Sequence, residues 1–234
     1  MPFQPILQRA RELLVLSTSG AGADLALWEH SLRAMHAAHA LAQAPEIRER
    51  EPDLVSCTTA ALFHDAGWAV QFRQGVVTQA QVLTRPTSQV QRELGAGAMA
   101  ELLADLLPAD TLELVAEAIR HAGTHQTALV EAQIVSDAAN LDDIGVTHLL
   151  RQYRQYHAEG RPLEQLRTTW MRQTEYRFWD ARINDGLRFE FTRGLARARL
   201  RAVEQFMVAL ATELEAGDLR RELRELGVQP IALE

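Results

Sequence analysis

A chain of 234 residues, 47% of them hydrophobic, is long enough to bury a substantial core, and its formal charge of −7 at pH 7 provides no global field to draw it to nucleic acid. All 24 basic residues are arginine, and the absence of lysine excludes P-loop lysines, Schiff-base chemistry and serine–lysine dyads. A lone cysteine, Cys57, cannot form an internal bridge; with no export leader at the start and no bilayer-length apolar run, a cytoplasmic protein without membrane partners is expected.

Apolar residues recur at helical spacing almost throughout, which predicts an all-α protein. Helices are expected over 5–16, 24–43, 53–66, 87–107, 110–120, 128–141, 147–157, 162–183 and 188–215, with a short charged one in "DLRRELREL" closing the chain. Asp24, Asp53 and Asp110 suit N-caps, Pro5 and Pro162 suit first turns, and Gly67, Gly123, Gly145, Gly160 and Gly217 read as helix stops. The stretch 68–89 has the weakest helical pattern and reads as a loop or short hairpin over a site. No Gly/Ser-rich linker divides the chain. The expected organisation is a helical domain over 1–160 with a helical extension over 161–234 packed on it.

Ligand-type residues concentrate in four apolar segments, "WEHSLRAMHAAHALA", "AALFHDAGW", "AIRHAGTHQT" and "IVSDAANLDDIG". Such groups on core-facing stretches cost desolvation energy unless something pairs with them, and a metal ion supplies the pairing. At about 100° per residue, His64 and Asp65 can approach one cation from the last turn of a helix, whose C-terminal dipole favours a cation by about 0.3–1 kcal/mol. A bundle can bring His30 and Asp137 to the same point. Imidazole with carboxylate suits Mn, Fe, Co, Ni or Zn better than Mg.

The order His30, His64-Asp65, Asp137 resembles the HD domain superfamily of metal-dependent phosphohydrolases. "HSLRA" is similar to that family's H-x-x-R-V, "AALFHDAGW" to A-L-L-H-D-I-G, and "SDAANLDDIG" to the D-A-D-R-L-D-x-I-G of its small bacterial members. The stretch "TRGLARARLRAVEQFMVALATELE" resembles their helical tail, so the likeness reaches across most of the chain. The resemblance implies an HD-type helical bundle in which His30, His64, Asp65 and Asp137 bind one divalent metal. It also implies hydrolysis of a small phosphate ester, often a nucleotide, by metal-bound water. Two departures stand out. "VQRELGAGAMAELL" lacks a histidine common at that place, which puts a second metal in doubt, and Asn140 replaces the pattern's arginine, exchanging a bidentate phosphate clamp for an amide.

Within that implied reading Asp65 also orients or deprotonates the water, while His121 and His125 are candidates for a second metal, phosphate contact or general acid. Arg33, one turn from His30, either holds a phosphate or pairs with an acid, and Asn140 is the second substrate-binding candidate. His36 and His39 lie on other faces of their helix; His148 and His157 read as structural, and Asp142 and Asp143 as capping or solvated residues. Trp170, Tyr176, Phe178 and Trp179 either pack on the bundle or form a homodimer surface. The rival functions are a non-catalytic nucleotide or metal sensor, favoured by the two departures, and a di-iron oxygenase, disfavoured by the absent histidine.

Overall fold

Residues 3–17 and 22–229 are described by the structure, a computed structural model. Helix α1 (Gln4–Leu14) leads into two-residue strands β1 (Leu16–Ser17) and β2 (Ala23–Asp24), which pair antiparallel. Then come α2 (Ala26–Ala42), α3 (Pro45–Arg48), α4 (Leu54–Phe63), α5 (Ala66–Arg73), a 3₁₀ turn (Gln79–Gln81), α6 (Gln89–Leu103), α7 (Ala109–His121) and α8 (Val130–Asp142). The remaining helices are α9 (Val146–Ala158), α10 (Glu164–Glu175), α11 (Phe178–Gly186), α12 (Glu190–Leu214) and α13 (Gly217–Glu225). The all-α expectation holds apart from the small β pair.

Helix α4 is the axis of the main core. Every residue from Ser56 to Phe63 is buried, the small hydroxyls of Ser56, Thr58 and Thr59 included, and α2, α6, α7 and α8 surround it. Asp53 starts it as expected, its carboxylate accepting the Ser56 N–H at 2.6 Å. Ser88 and Gln91 form a capping box that starts α6. Of the other proposed caps, Asp24 accepts the Ala26 N–H at 2.9 Å, one residue ahead of the Leu25 N-cap, and Asp110 lies inside the first turn of α7.

Two expectations are corrected. Gly67 does not stop a helix: the chain turns at His64–Asp65 and α5 begins at once, so the predicted weak stretch is helical up to Arg73 and a loop with a 3₁₀ turn beyond it. Gly67 is needed for close packing, since a Cβ there would sit 2.0 Å from the Gln91 carbonyl oxygen on α6. The helix expected over 162–183 is two helices, broken where Arg177 adopts a left-handed φ of 52°.

Beyond α8 two smaller apolar clusters take over. Leu141 and Ile144 pack with Trp179, Ile183, Leu187 and Ala196, and Leu149 and Tyr156 pack with Leu166, Val203 and Met207. The C-terminal helices thus buttress the end of α8, where the site's carboxylates lie. No helix among the described residues is long and apolar enough to cross a membrane.

Candidate metal centre

His30 comes from the first turns of α2, and His64 and Asp65 from the corner between α4 and α5; all three are buried. His30 Nε2 lies 3.2 Å from His64 Nε2 and 3.1 Å from Asp65 Oδ2, and His64 Nε2 is 3.3 Å from the same oxygen. Donors at about 2.0–2.1 Å round one tetrahedral ion sit about 3.3 Å apart, so the triangle has the dimensions of a metal face. Each imidazole is turned by its other nitrogen. His64 Nδ1 donates to the Ala61 carbonyl at 2.7 Å, and His30 Nδ1 to Asp142 at 2.7 Å, which leaves both Nε2 lone pairs aimed at the common point. Thr87 donates to Asp65 Oδ1, leaving Oδ2 inward.

Three acceptors facing one another repel unless a proton or cation sits among them. Burial disfavours charge on His30, yet the hydrogen bonds of Asp142 and Asp65 outweigh it and raise its pKa to about 9 without metal. Burial likewise opposes ionisation of Asp65, but His64 and His30 hold it well below the usual carboxylate range. Asp142 is also held far down, against its burial, by His30 and Arg33.

The donors open into a cleft of about 230 Å³. Leu83 to Thr87 form one wall, Arg92 and Ala122 another, and Ser136, Ala139, Asn140 and Asp143 line it from α8. Arg151 and Arg182 approach from the far side, both engaged with Asp143 at 2.8 Å. With His148 they outweigh burial and hold the Asp143 pKa at about 2. The expected loop over the site is there; its Leu83 takes a left-handed φ of 61°.

The structure does not bring every candidate here. Asp137, expected as the fourth ligand, is fully buried elsewhere: its oxygens accept the backbone N–H of Arg188 at 3.0 Å and of Phe189 at 3.1 Å, at the start of α12. The cause is helical rotation. Positions 136, 139, 140 and 143 share the cleft face of α8, and 137 lies about 60° beyond 140, outside that face. Ala139 therefore faces the cleft at the position where the D-A-D-R-L-D pattern has its second aspartate. His121 is exposed and paired with Glu117 at 3.1 Å beside a different surface hollow, and His125 is exposed on the following bend; neither lines the cleft. Arg33 takes the acid-pairing alternative, binding Asp142 at 2.6 and 3.1 Å. Asn140 does line the cleft.

Sequence reasoning missed Asp142, His148, Arg151 and Arg182. The signal for Asp142 was only its place in an otherwise apolar helix end, which a capping role explains equally well.

A helical bundle that closes two imidazoles and a carboxylate around one point defines a candidate metal-binding protein. The HD domain family model matches residues 27–143, half of the chain, and the chain belongs to that family. No curated protein gives a significant match. Among solved structures, a predicted HD superfamily hydrolase from an uncultured Thermotogales bacterium is 21% identical, with a TM-score of 0.55, 90% of this chain and 92% of that chain being covered. Bacillus subtilis YpgQ in complex with ADP is 19% identical, with a TM-score of 0.55 and coverage of 90% and 96%. These likenesses establish the shared fold.

Proposed function

We propose that the chain is a metal-dependent phosphohydrolase that cleaves a small phosphate ester, with one divalent ion of the Mn, Fe, Co, Ni or Zn kind held by His30, His64 and Asp65. The observation that carries this reading is the convergence of the three donor atoms at the base of an arginine-lined cleft. When bound, such an ion supplies Lewis acidity, lowering the pKa of water and offsetting charge on phosphoryl oxygens.

The chain's own residues do the positioning. Asp142 and the Ala61 carbonyl fix the tautomers of His30 and His64, and Thr87 orients Asp65. Burial keeps bulk water from competing for the three donors. Asp65, the one carboxylate of the donor group, would also orient or deprotonate the attacking water, and Asn140 can donate an amide hydrogen bond to a bound ester. Because Asp137 lies outside the donor group, an ion held by the three donors would keep open positions for water and substrate.

One observation favours a second reading, a non-catalytic sensor: α8 offers the cleft a methyl group at Ala139 and an amide at Asn140 where the pattern it resembles has a carboxylate and a guanidinium. The test separates the two. Protein purified without chelator is assayed for metal content, then stripped, reloaded with Mn, Fe, Co, Ni, Zn or Mg, and offered a panel of phosphomonoesters and nucleotides. The solved complex of YpgQ with ADP puts nucleoside diphosphates first in that panel. One ion per chain with phosphate release is expected. Nucleotide bound without turnover under every metal overturns the hydrolase in favour of the sensor, and no affinity for any metal overturns both.

A further inference from the structure

Four arginines border the cleft, and they are not equivalent. Arg151 bridges Asp142 and Asp143, and Arg182 pairs with Asp143 at 2.8 Å, so both charges are already met by buried or half-buried carboxylates. Arg85 and Arg92 make no ion pair among the described residues. Arg85 is exposed at the rim, its guanidinium 5.7 Å from the centre of the Trp68 ring.

Arg92 differs again. It stands in the first turn of α6, half-buried, and lines the same cleft as His64 and Asp65. Burial lowers its pKa, and Asp65 is the charge that opposes this. Its guanidinium lies against Gly123, in the bend after α7. A Cβ at that position would come within 2.5 Å of Cζ, 2.6 Å of Nη1 and 2.8 Å of Nη2. The backbone is therefore left bare where this cation sits. A half-buried guanidinium that lines the cleft and makes no ion pair with its carboxylates is a receptor for an anionic group from outside the chain, and its planar fork matches the oxygens of a phosphate.

We infer that Arg92, seated by Gly123 and supplemented by Arg85, receives the phosphoryl group of the substrate. The inference rests on the hydrolase reading for its substrate class, and it assigns the anion-binding task to the α5–α6 side of the cleft instead of to Arg33 or to the arginines engaged with Asp142 and Asp143.

The test uses inorganic phosphate as the probe, titrated calorimetrically into the full-length protein loaded with Mn, with metal content read on the same samples. In Arg92→Gln, phosphate affinity is expected to fall about ten- to a hundredfold with metal content unchanged. Gly123→Ala keeps every charge and its three nearest contacts are all at the flexible end of Arg92, so it should fold normally, displace the guanidinium and lower phosphate affinity in the same direction. In Arg182→Gln, where the lost guanidinium was already engaged by Asp143, the loss should be smaller than in Arg92→Gln. Wild-type affinity retained in Arg92→Gln, or a loss in Arg182→Gln as large as in Arg92→Gln, overturns the assignment, as does a wild-type chain that does not bind phosphate. A wild-type chain that binds phosphate through Arg92 but takes no ion and cleaves no ester is failure of the hydrolase reading alone.

Discussion

Asp142 shows how much of the site depends on a residue that touches neither cation nor substrate. Its two oxygens take His30 Nδ1 at 2.7 Å and Arg33 Nε at 2.6 Å, with Arg151 alongside at 3.4 Å. Asp142→Asn keeps the shape but leaves three donors facing an amide. Loss of about 3 kcal/mol of stability is expected, because partners of a broken buried pair keep an uncompensated charge. Metal affinity should fall by about 10–100-fold, as for other groups that orient a ligating imidazole. Thermal unfolding and metal titration check the two effects separately. The same cluster dictates a pH response in chelator. His30, with its pKa raised to about 9, contributes stability that is fully present below its unfolded value of about 6.5 and is lost as pH rises through about 9. Asp65 and Asp142, both depressed, contribute stability present above about 3.8 and lost as pH falls. The stripped protein should therefore be most stable between about pH 4 and 6.5. Reloading with metal should remove the alkaline loss, since a cation then holds the acceptors together; calorimetry across pH with and without chelator checks both limbs.

At the scale of elements, the crossing of α5 on α6 is what sets the His64–Asp65 corner against Thr87 and Arg92. Gly67 and Gly95 let the backbones approach: the Cβ of an alanine at 95 would lie 3.1 Å from the Gly67 nitrogen, and one at 67 would overlap the Gln91 carbonyl. Gly67→Ala must push α5 away from α6, at a cost of about 1–3 kcal/mol or more. Gly97→Ala, two residues on from Gly95 and on the opposite, exposed face with open space around it, should stabilise α6 by about 1 kcal/mol. Opposite shifts in melting temperature, of about 2–4 °C per kcal/mol for a chain of this size, are the readout. The contrast also shows where sequence reading fails. The apolar period exposed the long helices, and the His-Asp pair in its apolar context exposed the first three donors. A glycine after a possible helix end looks the same whether it stops that helix or lets a second one cross it, so α5 was missed. Three carboxylates within seven residues of α8 could not be sorted either, because the sequence leaves the rotation of that helix open by the 100° that separates neighbouring side chains.

For the whole molecule, the question is what ties residues 27–143, matched by the family model, to the helices that follow. The structure answers with Asp137. From the middle of α8 its carboxylate accepts the N–H groups at the start of α12, and Arg199 of α12 returns a hydrogen bond to the Leu141 carbonyl at 2.7 Å. Trp179, Ile183 and Ala196 then close over Leu141 and Ile144. Burial raises the Asp137 pKa against the pull of those amides, and its hydrogen bonds tie the carboxylate to the junction. Asp137→Asn tests this against the ligand role. An amide retains one acceptor oxygen but turns a donor toward the remaining N–H groups, and a loss of about 1–3 kcal/mol is expected from the unmet bonds. Metal content should stay at the wild-type level, while in Asp65→Ala it should be lost with the fold preserved. Hydrogen exchange should rise first in the early turns of α12, where the cap is removed. If Asp137→Asn instead empties the site and leaves α12 as protected as before, the carboxylate belongs to the metal and the capping arrangement is secondary.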